Sequence, residues 1–70
     1  PLELLKPKEK KIHDWIQDNY NGIEFTVNEI SNDMDLDPDN MRNKYLKRLV
    51  ELYLLEKRKV NRKNLYRLIV

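Results

Sequence analysis

The sequence predicts a single α+β domain, mostly helical, with a three-helix core, a short strand before the second helix and a C-terminal β-hairpin. Three observations carry that expectation. Apolar residues recur at helical spacing as far as Leu52, each helical run opens on a helix-start signal, and beyond Leu52 the pattern turns strand-like. Seventy residues suffice for one small core and no second domain. Residues 1–7 read as a lead-in segment and residues 8–70 as the domain.

Pro7 suits the first turn of a helix, where a missing N–H costs nothing. Ile12, Trp15, Ile16 and Tyr20 then recur at helical spacing, which predicts helix 1 over residues 8–20 with Trp15 in the core and a stop at Asn21-Gly22. Ile23-Glu24-Phe25 is short and alternating, as a strand would be. Thr26 and Glu29 have the spacing of a capping box, flanked by Phe25 and Ile30 as a hydrophobic staple. Helix 2 is therefore expected at 27–33, burying Val27, Ile30 and Met34. Asp37-Pro38-Asp39 opens helix 3, expected over 38–52, with Met41, Tyr45, Leu46, Leu49, Val50 and Leu52 facing inward. Leu54–Val60 and Leu65–Val70 read as strands joined by Asn61-Arg62-Lys63-Asn64.

Charge is segregated along the chain. Residues 1–11 carry four lysines against two acids, residues 12–39 carry eight acids and no Lys or Arg, and residues 40–70 carry ten basic residues against two acids. Such a layout builds one positive and one negative surface, and the positive one suits a polyanion. The absence of cysteine excludes a disulfide framework, a zinc finger and a thiol nucleophile. With one histidine (His13) and one glycine (Gly22), neither a histidine metal site nor a phosphate-cradling glycine loop is expected. The acids Asp33, Asp35, Asp37 and Asp39 alternate like a calcium loop, but Pro38 and Lys44 stand where that loop needs Gly and an acid. No metal, no cofactor, no small-molecule substrate and no catalysis are expected. No apolar run has the roughly 20 residues that span a bilayer, and nothing has the form of a secretory leader. The expected location is cytoplasmic (nucleoid) or nuclear.

The order of elements, together with Tyr45-Leu46-Lys47-Arg48-Leu49-Val50-Glu51 running into Leu54-Leu55-Glu56-Lys57-Arg58, resembles the winged helix-turn-helix family over residues 8–70. The resemblance implies that helix 3 is a recognition helix and that residues 54–70 form a wing. Two positions depart from the family pattern, which usually has Gly where Tyr53 stands and Gly near Asp35. Asp visits left-handed backbone angles readily, and Tyr53 would have to take such an angle or extend the helix.

Double-stranded DNA is the expected ligand, bound in transcription regulation or as an accessory domain in DNA replication. From residue 40 to 50 helix 3 has no acid, and Asn40, Asn43, Lys44 and Lys47 form a polar stripe along it. Asn pairs bidentately with adenine, and Lys reaches guanine edges or phosphates. Arg42 and Arg48 flank the stripe and would meet phosphates. Five of the seven residues 57–63 are basic: Lys57, Arg58, Lys59, Arg62 and Lys63. One or two lysines would protect an edge strand from aggregation, and five fit a hairpin lying along phosphates. Lys8, Lys10 and Lys11 would add a backbone contact. The chain opens on Pro1 rather than Met, so the rest of a larger parent protein is a further expected partner. The rival expectations are protein docking through the acidic region 14–39 and RNA binding by the same cations.

Overall fold

The structure, a computed structural model, describes residues 2–69 as a 3-10 turn (Leu2–Leu4), three helices and an antiparallel two-stranded hairpin. Helix α1 spans Pro7–Asn19. Glu9 turns its carboxylate back to accept the Lys6 N–H at 2.9 Å, satisfying one of the donors that a helix start leaves free. The buried stripe of α1 is Glu9, Ile12, His13 and Ile16, the i, i+3, i+4, i+7 spacing of one helix face. This corrects the expectation for Trp15, which is 37% exposed. Trp15 stands one residue before Ile16, so the winding turns it about 100° away from the inward line. The helix also stops sooner than expected, at Asn19, and Gly22 takes φ of 75° in the turn beyond.

In place of the expected short strand at Ile23–Phe25 there is a single antiparallel bridge from Phe25 to Tyr66, with paired N–H···O=C bonds of 2.9 and 2.8 Å. Helix α2 spans Val27–Met34 and opens on the capping box. Glu29 N–H donates to Thr26 Oγ1 at 3.2 Å, and Thr26 N–H donates to Glu29 Oε1 at 3.0 Å. Phe25 and Ile30 are both fully buried, as a staple requires. Val27 and Met34 are only half-buried; Ser31 takes the buried place instead. Its Oγ, like Nδ1 of His13, has no hydrogen-bond partner among the described residues.

Asp35 closes α2 at φ of 54°, the left-handed angle its position was expected to need. Asp37 then caps α3, accepting the Asn40 N–H at 3.0 Å. Helix α3 is continuous over 38–51, α-helical at Pro38–Asn40, π-helical at Met41–Leu46 and α-helical again at Lys47–Glu51. The π segment was not expected. Its wider winding lets Met41 and Leu46, five residues apart, both reach full burial, while Tyr45 between them stays half-buried. Tyr53 follows at φ of 60°, the uncommon angle demanded of a bulky residue at this junction.

Strand β1 (Leu55–Val60) pairs with β2 (Lys63–Leu68) in a register running from Leu55↔Leu68 to Val60↔Lys63. The connection is therefore Asn61-Arg62 alone, with φ of 49° and 68°, as a type I′ turn requires. This corrects the expected strands 54–60 and 65–70 and their four-residue turn. Lys63 and Asn64 belong to β2, and Val70, like Pro1, lies outside the described residues. The core lies where the three helices meet the hairpin base, with Ile12, Ile16, Phe25, Leu46, Leu49 and Leu55 at most 1% exposed.

Tyr20, half-buried at the end of α1, donates its hydroxyl to Asp33 Oδ2 and so ties α1 to α2. That hydrogen bond, followed by burial and the Asp33 charge, pushes the phenol up from 10.0 to about 12. A raised folded-state value means this contribution to stability is complete below pH 10 and is lost as pH rises to about 12. Ring NMR titration of Asp33→Asn should show Tyr20 ionising at lower pH than in the parent. An unchanged titration would remove Asp33 as the cause.

Candidate nucleic-acid interface

Side chains alternate across a strand, and directly paired residues share a face, so the hairpin register sorts its charges. Leu55/Leu68 and Lys57/Tyr66 lie on the face that packs into the core, and Lys59/Asn64 continue that face toward the tip. Glu56/Arg67, Arg58/Leu65 and Val60/Lys63 lie on the reverse face. Two of the three ion pairs among the described residues are on the reverse face. Arg67 pairs with Glu56, and Arg58 makes a two-pronged contact with Glu24 at 2.7 and 3.1 Å. Arg58 is thus a predicted site residue that the fold turns away from α3, while Lys63, on the same reverse face, borders the α3 side only at the hairpin tip.

Toward α3 the hairpin closes two clefts. The first, about 310 Å³, lies between the starts of α2 and α3 and the hairpin tip. Arg42 enters it from α3, Asn28 from α2, and Arg62, Lys63 and Asn64 from the turn and β2. Arg42 is steadied by Asp39 one turn earlier at 3.0 Å. The second cleft, about 270 Å³, runs between α3 and β1. Arg42, Asn43 and Lys47 line one wall, and Lys57 and Tyr66 the other. Burial pushes the Tyr66 phenol up, against the opposing pull of the Arg42 guanidinium.

The structure therefore brings Arg42, Asn43, Lys47 and Lys57 together in one cleft and Arg42, Arg62 and Lys63 in the other. Asn40 and Lys44 are exposed on α3 outside both, Arg48 is half-buried, and Lys59 is exposed on the core-side face of the hairpin. Lys8 places its ammonium 5.5 Å from the Tyr45 ring centre, which docks the start of α1 against α3. Asn28 and Asn64 are lining residues that the sequence did not single out for contact, and Tyr66 is the core-edge tyrosine that the sequence places near a ligand only as a secondary reading. Asn64 was legible in principle. A two-residue turn at Asn61-Arg62 sets Asn64 opposite Lys59, on the same face as Lys57.

Lys44, Lys47, Lys57, Lys59, Arg62 and Lys63 have no carboxylate partner among the described residues. Unpaired cations on an α3-and-hairpin surface can hold phosphate oxygens, and the exposed amides of Asn40 and Asn43 can both donate and accept. Among the described residues no group of three or more His, Cys, Asp and Glu side chains is placed to hold a metal ion, and no helix is long and apolar enough to cross a membrane. No known family, curated protein or solved structure matches this chain.

Proposed function

We propose that the chain is a winged helix-turn-helix domain that binds double-stranded DNA without acting on it chemically. In this reading α3 enters the major groove, where Asn40, Asn43, Lys44 and Lys47 meet base edges and nearby phosphates. The hairpin is the wing, and Lys57, Lys59, Arg62 and Lys63 follow the backbone. One observation carries the reading. The hairpin cations paired with carboxylates lie on the reverse face, whereas the unpaired Lys57 and Lys59 lie on the core-side face, with the unpaired Arg62 and Lys63 at the tip. The Phe25–Tyr66 bridge, which ties the segment before α2 to the hairpin, supports it too.

Arg62 offers a test in which stability and binding move in opposite directions. A type I′ turn favours Asn-Gly, yet here Arg occupies φ of 68°. Arg62→Gly should stabilise the domain by about 0.5–1 kcal/mol by relieving a left-handed side chain. The same change should weaken duplex binding and flatten its salt slope by about one unit. A variant that melts higher and binds as the parent does would remove Arg62 from the interface.

The reading itself is tested by titrating the domain with duplex DNA, single-stranded DNA and RNA of the same sequence. Duplex DNA should bind tightest, and preference for either of the others would replace it. The protein-docking alternative draws on Trp15, which is 37% exposed on α1 between the exposed Asp14 and Asp18. Trp15→Ala should leave duplex affinity unchanged.

A further inference from the structure

We propose that the cleft between α3 and β1 receives the terminal phosphate monoester of a DNA strand. This rests on the reading of α3 and the hairpin as a DNA-binding face. Five donor-bearing side chains line the cleft: Arg42, Asn43, Lys47, Lys57 and Tyr66. Val50 adds apolar surface. Glu51, the acid among the lining residues, stands four residues after Lys47 on the same side of α3. The cleft's unpaired cations are Lys47 and Lys57, beside Arg42, which is already paired with Asp39.

A diester within a strand carries one negative charge, and its two ester oxygens are bonded to sugars that block approach from two sides. Such a group needs only a cation or two on an open surface. A terminal monoester carries about −1.5 to −2 charge at neutral pH and three free acceptor oxygens. It can enter a recess and take donors from several directions, so converging donors on two walls suit it better than they suit a diester. Guanidinium and ammonium donors to such an oxygen are charge-assisted and roughly twice as strong as neutral pairs.

Tyr66 is the specific part of the cleft. Surface lysines serve any phosphate, but Tyr66 is only 2% exposed, and its hydroxyl makes no hydrogen bond among the described residues. It is held from both sides, stacked on Phe25 with ring centres 6.0 Å apart and paired directly opposite Lys57. Burial keeps the phenol protonated, and therefore a donor, well above neutral pH. A phosphopeptide would present the same monoester. The DNA end is favoured because the core-side face continues beyond the cleft at the unpaired Lys59, with the unpaired Arg62 and Lys63 at the tip, where a strand's next phosphates would lie.

The test is a fluorescence-anisotropy titration of the whole chain with one duplex sequence in four forms: 5′-phosphorylated, 3′-phosphorylated, hydroxyl-ended, and closed at both ends by hairpin loops. A phosphoserine peptide serves as a competitor. One phosphorylated form should bind about tenfold tighter than the hydroxyl-ended and closed forms, the worth of one charge-assisted hydrogen bond. Tyr66→Phe, whose folding is checked by its melt, should lose that preference and bind the closed duplex as the parent does. Should Tyr66→Phe fail to fold, Lys57→Gln replaces it, and the ratio of phosphorylated to closed affinity should fall toward one. Equal affinity for all four forms, or a preference that survives these variants, overturns the inference and leaves the DNA reading standing. Binding to no duplex overturns both, and tighter binding of the phosphopeptide than of any duplex reassigns the cleft to a phosphoprotein partner.

Discussion

Leu46→Ala and Leu49→Ala should each destabilise the domain by about 2–5 kcal/mol, the cost of removing a fully buried leucine from a packed core. Both side chains are 0% exposed, and both hold α3 against the rest of the fold. Leu46 sits at the end of the π segment, directly after half-buried Tyr45, so no neighbouring apolar residue of α3 can replace it without a change of winding. A domain of this size has on the order of 5 kcal/mol of net stability, so either variant should be largely unfolded near its parent's working temperature. Thermal melts check this directly. Trp15→Ala is the control; a side chain 37% exposed should lose far less than either leucine. Melts that place Trp15→Ala below Leu46→Ala would mean that the inward line of α1 has been misassigned.

The second large effect is on binding. Six cations without carboxylate partners lie on α3 (Lys44, Lys47), on the core-side face of the hairpin (Lys57, Lys59) and at its tip (Arg62, Lys63). If about four to six of the ligand's phosphates are neutralised, log K should fall against log[salt] with a slope of about −4 to −5. Raising salt from about 50 to 200 mM should therefore lower duplex affinity by about 250- to 1000-fold. Arg58→Ala should leave the slope unchanged, because Arg58 is engaged by Glu24 on the reverse face of the hairpin. A nearly flat salt dependence would contradict a backbone-tracking hairpin.

The order of elements was legible because it rests on local signals. The Thr26–Glu29 capping box, the Asp37-Pro38 helix start and the left-handed Asp35 each depend on a few neighbouring residues, and each appears in the fold. Trp15 was misread because apolar character alone does not fix a helix face. The inward line of α1 includes Glu9 and His13, two polar residues that periodicity in apolar residues passes over. The π winding of Met41–Leu46 had no local signal, since it reflects how α3 fits its neighbours rather than a propensity of its residues. The hairpin turn was set two residues too long because Asn64 resembles a turn residue, whereas its pairing with Lys59 is a tertiary outcome. That slip hid which hairpin cations share a face. The sequence therefore named a basic hairpin without separating Lys57 and Lys59 from Arg58.

The central claim is that one face, formed by α3 and the core-side surface of the hairpin, holds duplex DNA. Amide chemical-shift mapping during a duplex titration tests it most directly, because every described residue except proline reports separately. The largest changes are expected at Asn43, Lys44, Lys47, Lys57, Lys59 and Asn64, with Arg58 and Arg67 little affected. Changes centred on Asp14, Trp15 and Asp18 of α1, or on the reverse face around Glu24 and Arg58, would contradict it.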